Sequence, residues 1–259
     1  MDTINNLSST DLRFVVSRIP RDIRKLMMEN TGLILAGGFI RETISQDKPN
    51  DIDLFAFGKG NNDQAKEFLR LLSEVTAAKR NVGVYRTGNA FSVFTPTRMP
   101  VQFIHRWTYG LPLDVINSLD FTVCQAAVWF EKLKEGEPEA SDFRRGAWKS
   151  LVSPSFYPDL AARRLVYTNP SRDEEAGGSM LRVRKFIKRG FNIQCESLAG
   201  VITRLVFGVR EDSRAWRDPA QMRKVFTGLL KEVDPNIAID GLEPIDEHQT
   251  IEELSTPLE

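Results

Sequence analysis

Apolar residues recur at helical spacing near the start of the chain. Leu12, Val15, Val16, Ile19, Ile23, Leu26 and Met27 follow Ser9, Thr10 and Asp11, any of which can cap a helix, and they predict a helix over 9–29 with Pro20 as a kink. GLILAGGFI is a short apolar run closed by a glycine pair. DIDLFAF alternates as a half-buried strand does, and DQAKEFLRLLSEVTAAK returns to helical spacing. VGVYRTGNAFSVFTP and MPVQFIHRW read as two strands separated by a proline-bearing turn, and LDFTVCQAAVWFE as a buried strand or a short helix. From about residue 158 helical patterns dominate in DLAARRLVY, SMLRVRKFIKRGF, ESLAGVITRLVFG and PAQMRKVFTGLLKEV. The sequence has no internal repeat and no low-complexity tract. Mixed α/β (α+β) is the fold class this succession implies.

Composition narrows the class. A chain of 259 residues with 41% hydrophobic and 27% charged side chains can bury a substantial core. It has no apolar run near the roughly 18 residues that would span a bilayer. MDTINNLSSTDLRF lacks the basic-then-apolar layout of a signal peptide, and two cysteines, Cys124 and Cys195, cannot build a disulfide framework. A cytoplasmic protein with no membrane partner is the expectation.

The net charge of zero hides a polarised chain. Residues 1–140 carry 17 basic and 17 acidic side chains, residues 141–233 carry 18 and 10, and residues 234–259 carry none and 8. The tail is read either as a solvated end or as a cover for a basic groove.

Chemistry concentrates in GGFIRETISQDKPNDIDLF, residues 37 to 55. Asp51 and Asp53, two apart on a strand, project from one face, where their charges repel. A divalent cation removes that repulsion, and Mg²⁺ (or Mn²⁺) prefers hard carboxylate oxygens together with substrate phosphates. Gly37 and Gly38, between an apolar strand and FIRETI, let backbone approach a phosphate, and Arg41 one turn later carries a guanidinium fork suited to a triphosphate. Either element alone is commonplace, a tight turn or an exposed edge; their order and spacing carry the signal.

That order resembles the head domain of the polymerase-beta-like nucleotidyltransferases, and most closely the branch of bacterial CCA-adding enzymes and bacterial poly(A) polymerases. The family reads G-G-x-V-R-D, a loop, then D-[IL]-D-[IL]; this chain reads GGFIRE and DIDLF, with Glu42 in place of the aspartate. Asp120, Phe121 and Thr122 match the family's D-F-T, and SMLRVRKFIKRGFNI is similar to the helix that starts the neck, with one residue fewer. The matches span about residues 33–193.

The resemblance implies an N-terminal helical segment over 1–29, a mixed-sheet nucleotidyltransferase head over 30–135, a helical neck or body over 136–233 and an acidic tail over 234–259. It implies transfer of a nucleoside monophosphate from an NTP to an acceptor hydroxyl with release of pyrophosphate. Asp51 and Asp53 would bind the metal, with Asp120 completing the catalytic set unless it only caps a turn. Gly37, Gly38, Arg41, Arg106 and Arg182 would meet the NTP. The helix bearing Arg184, Lys185, Lys188 and Arg189 would either contact a nucleic-acid backbone or form a solvated face. The acceptor implied is an RNA 3′ end, tRNA first. The alternatives are a protein side chain, a small molecule, or a non-enzymatic binding module on the same fold.

Departures from the pattern bear on specificity. Ser118 and Leu119 stand where the family has two arginines before D-F-T, and the base-reading E-D-x-x-R aligns with Glu175, Ala176, Gly177, Gly178 and Ser179. Both base-reading residues are missing, so a single-nucleotide or relaxed specificity is expected. Gln102 is neutral where many relatives have an acid, and His105 has no partner at metal-ligand spacing.

Overall fold

The computed structural model of the chain describes residues 5–132, 146–170, 178–207 and 214–233. The tail over 234–259 and residues Glu175, Ala176 and Gly177 lie outside the described residues. The chain divides into two compact units, Met1–Leu160 and Ala161–Glu259.

In the first unit the N-terminal periodic segment forms two helices, α1 (Ser9–Arg18) and α2 (Arg21–Glu29). Pro20 separates them instead of kinking one helix: Ile19 before it is extended, at φ −60° and ψ 127°, as the residue preceding a proline prefers. Ser8 caps α1 by accepting from the Asp11 N–H at 3.1 Å. The chain continues through β1 (Leu33–Ala36), α3 (Gly38–Ile44), β2 (Ile52–Phe57) and α4 (Asn62–Arg80). Next come β3 (Tyr85–Arg86), β4 (Ala90–Thr95), β5 (Arg98–Tyr109), α5 (Pro112–Asn117) and a 3₁₀ turn (Thr122–Cys124). The unit closes with β6 (Ala126–Lys132), β7 (Gly146–Val152) and α6 (Phe156–Ala161).

Seven strands form one mixed sheet in the order β3-β4-β5-β2-β1-β6-β7. Only the β2–β5 pair is parallel; the other neighbours are antiparallel. Alternation along the strands gives the sheet two different faces. Ile34, Ala36, Phe55 and Ala127 pack with Val115 and Ile116, so α5 covers that face. The opposite face, built by Leu33, Leu35, Leu54, Val101, Phe103 and Val128, is fully buried, with α4 packed along β2, β4 and β5.

The second unit contains β8 (Arg164–Leu165), α7 (Gly178–Lys188), β9 (Asn192–Ile193), α8 (Cys195–Phe207) and α9 (Pro219–Val233). DLAARRLVY is not helical past Ala161, because Arg163 takes a left-handed φ of +46° and the chain then enters β8. In α7, Leu181, Val183 and Phe186 are buried while Arg184, Lys185 and Lys188 are exposed. Ile187, although apolar, falls on the exposed face.

Candidate active site

Backbone register brings the glycine turn and the two aspartates together. β1 and β2 are antiparallel with Leu35 opposite Leu54, so one step on Ala36 lies beside Asp53 and Gly37 beside Ile52. Gly37 has φ +84° and ψ −131°, a conformation L side chains rarely adopt, although a Cβ there would meet nothing within 4 Å. Conformation and not space therefore requires glycine at 37. Its N–H donates to the Ala126 carbonyl at 2.9 Å, which ties the turn to β6. Gly38 is the first residue of α3, and a Cβ on it would make only ordinary contact with Arg41 Nη2 at 3.5 Å.

Asp53 precedes Phe55 by two residues and so shares the α5-covered face; Asp51, two earlier, continues the same line. Both aspartates are half-buried. Gln102 is the direct neighbour of Asp53 in the β2–β5 register, and its Nε2 donates to Asp51 Oδ2 at 3.4 Å. An amide thus stands where a carboxylate would have added a third negative charge. Ser92 faces Gln102 from β4, so the row beside Asp53 remains polar across three strands.

Arg41 is 5% exposed. Its Nη1 donates to Cys124 Sγ at 3.2 Å and its Nη2 to Glu42 Oε1 at 2.7 Å. Burial weighs against the charged guanidinium, but Cys124 and Glu42 beside it outweigh that penalty and raise its pKa above the ordinary arginine value. The guanidinium thereby anchors α3 to the 3₁₀ turn that follows Asp120 and Phe121.

A second buried tie holds that turn from the other side. Thr122 Oγ1 donates to Asp159 Oδ2 at 2.6 Å, and Asp159 is fully buried in α6. Nothing in the sequence pattern pointed to Asp159, which lies 37 residues from its partner. Asp120 itself is 2% exposed, in the short segment between α5 and the 3₁₀ turn. Among the described residues no three His, Cys, Asp or Glu side chains gather as a metal-binding group.

Arg106 lies on β5 four residues past Gln102, roughly 13 Å further along the strand. Its guanidinium donates to Asn89 Oδ1 at 3.3 Å and sits 4.8 Å from the Trp107 ring centroid. Arg182, half-buried, and Arg184, Lys185, Lys188 and Arg189, exposed, belong to the second unit. Ser118, where the family pattern has arginine, hydrogen-bonds the Tyr109 hydroxyl at 2.9 Å. His105 stacks on Phe91 at 4.4 Å; burial first, and Lys66 second, push its pKa below the ordinary histidine value.

The first unit is therefore a mixed α/β domain with a glycine turn and an aspartate pair at one end of its central strands. Residues 7–163 match the model of the Gabija anti-defense 2 family, and the chain belongs to that family. No curated protein matches it in sequence. Among solved structures it is similar to the Thermotoga maritima CCA-adding enzyme in complex with tRNA, at 16% identity and a TM-score of 0.47, over 98% of this chain and 60% of that one. It is also similar to a CCA-adding enzyme with ATP, at 18% identity and a TM-score of 0.47, over 90% and 55% of the two chains. A third likeness is to a tRNA-processing enzyme, at 15% identity and a TM-score of 0.46, over 92% and 64%. The chain spans less than two thirds of the length of each of these proteins.

Proposed function

We propose that the protein is a nucleotidyltransferase that moves a nucleoside monophosphate from an NTP to an acceptor hydroxyl and releases pyrophosphate. The observation that carries this reading is Asp53 on β2 with Asp51 just before the strand, both next to Gln102, and the Gly37 turn that ends the neighbouring β1. Two hard carboxylates side by side suit Mg²⁺ or Mn²⁺, and the cation, when bound, supplies charge neutralisation for the triphosphate and polarisation of the acceptor hydroxyl. Gln102 orients Asp51 through its amide without adding charge. The turn at Gly37 and Gly38 presents backbone with no side chain in the path of a phosphate. Arg41 acts through packing: it fixes α3 against the 3₁₀ turn and so holds the glycine turn in place. Asp120 is assigned to the same site, by the match of its D-F-T segment to the family pattern.

An RNA 3′ end remains one acceptor, with the exposed basic face of α7 as its backbone contact. Membership of the Gabija anti-defense 2 family supports a role other than tRNA maturation, and so favours a protein side chain or a small molecule of the opposing system as acceptor. Incubation with α-labelled NTPs, Mg²⁺, RNA and candidate protein targets, followed by separation of labelled RNA from labelled protein, distinguishes the acceptors. Absence of label from every acceptor, and of pyrophosphate from solution, would leave the fold as a binding module.

A further inference from the structure

A cavity of about 540 Å³ opens within the first unit between α1, α3 and the loop over 46–49. Phe14, Phe39 and Met99 give it apolar walls, and Thr43 lines it. Thr43 is 4% exposed, and its hydroxyl has no hydrogen-bond partner among the described residues. At the rim stand two exposed cations, Arg18 and Lys48, neither of which is in an ion pair among the described residues. The Arg18 guanidinium lies 5.1 Å from the Phe14 ring centroid, within cation–π reach of that apolar wall. Asp47 also lines the cavity, so its charged groups sum to one positive charge.

This cavity is separate from the aspartate pair. Its lining includes neither Asp51, Asp53 nor Gln102, and its one β5 residue, Met99, lies where the strand shifts register between Arg98 and Val101. The loop that walls the cavity nevertheless runs from Pro49 through Asn50 directly into Asp51.

We infer that this cavity is a second binding site, for a small aromatic monoanion. The ring would lie among Phe14, Phe39 and Met99, and the acidic group would sit between Arg18 and Lys48. The inference is independent of the nucleotidyl-transfer reading, because it concerns other residues and is read by binding alone.

Titration of the full chain with 8-anilino-1-naphthalenesulfonate, an aromatic monoanion, tests it by fluorescence. One saturable site is expected, weakened about tenfold in the double variant Arg18→Ala/Lys48→Ala, since charge-assisted contacts to the sulfonate are lost. Both positions are exposed, so the fold is not at stake. Phe207→Ser, which removes a 78% exposed apolar side chain that could also take up the probe, should leave the affinity unchanged. Failure to saturate, equal affinity in the wild type and the double variant, or binding lost on Phe207→Ser would each overturn the inference.

Discussion

Gln102 sits beside Asp53 across the parallel β2–β5 pair and turns its amide onto Asp51, so one neutral side chain contacts or neighbours both acids. Glutamine here separates two needs, since it satisfies an acidic oxygen and adds no repulsion.

Gln102→Glu should therefore make the cluster metal-hungry. Without divalent cations the third carboxylate should cost about 1–2 kcal/mol through like-charge repulsion at close range. With millimolar Mg²⁺ or Mn²⁺ the loss should be largely recovered, and the melting temperature of this variant should rise more than that of the wild type. Identical metal responses in the two proteins would place the carboxylates too far apart to share a cation.

The Arg41 tie predicts an asymmetry between single and double variants. Arg41→Met takes the guanidinium away from the buried Glu42 carboxylate and should destabilise by about 3–5 kcal/mol. Arg41→Met/Glu42→Met removes both charges and should be clearly more stable than the single variant. Urea unfolding midpoints measure the difference, and additive losses would mean that the pair is not coupled.

Thr122→Val should cost about 2–3 kcal/mol, because it leaves the fully buried Asp159 carboxylate without the hydroxyl that donates to it. Because the 3₁₀ turn also holds Cys124 against Arg41, NTP affinity should fall in the same variant, whereas a purely local packing defect would change stability alone.

Acid sensitivity should appear at the α2–α4 contact. Arg80 Nε donates to Asp22 Oδ2 at 2.9 Å, and the Arg80 side chain is 1% exposed. Burial raises the Asp22 pKa, but hydrogen bonding and attraction from Arg80 outweigh it, so the folded pKa lies below the ordinary 3.8. A depressed carboxylate pKa contributes stability that is full above the unfolded value and lost as pH falls through the folded one. Asp22→Asn should therefore be less stable than wild type at neutral pH, with the gap closing below about pH 4. A pH-independent gap, read from melting curves, would assign the loss to packing.

Legibility in the sequence followed the range of the signal. The alternation of DIDLFAF and the glycine pair identified β2 and the turn before α3, because strand period and glycine conformation are written within a few residues. The mixed sheet was implied by the family resemblance, and in it the ends of β1 and β2 meet. β7 was not legible: GAWKSLV has neither a clear alternation nor turn punctuation, and it becomes a strand by pairing along all of β6. VGVYRTGNAFSVFTP reads as one strand but forms β3 and β4, turned back at Thr87, whose hydroxyl accepts from the Ala90 N–H at 3.0 Å. Arg41 stood out in the sequence only by its position after the glycine pair. Its partner Cys124 is 83 residues away, a relation that tertiary packing creates and no local pattern encodes.

Asp51 and Asp53 are the groups proposed to carry nucleotidyl transfer in the first unit. Pyrophosphate release from α-labelled NTP, with label transfer followed in parallel, compares the wild type with Asp51→Ala and Asp53→Ala at matched folded fraction. Mg²⁺-dependent release and transfer are expected for the wild type. Each variant should fall by at least about a thousandfold while melting near or above the wild-type temperature, since one of two repelling charges is gone. Turnover in either variant close to that of the wild type would contradict the account.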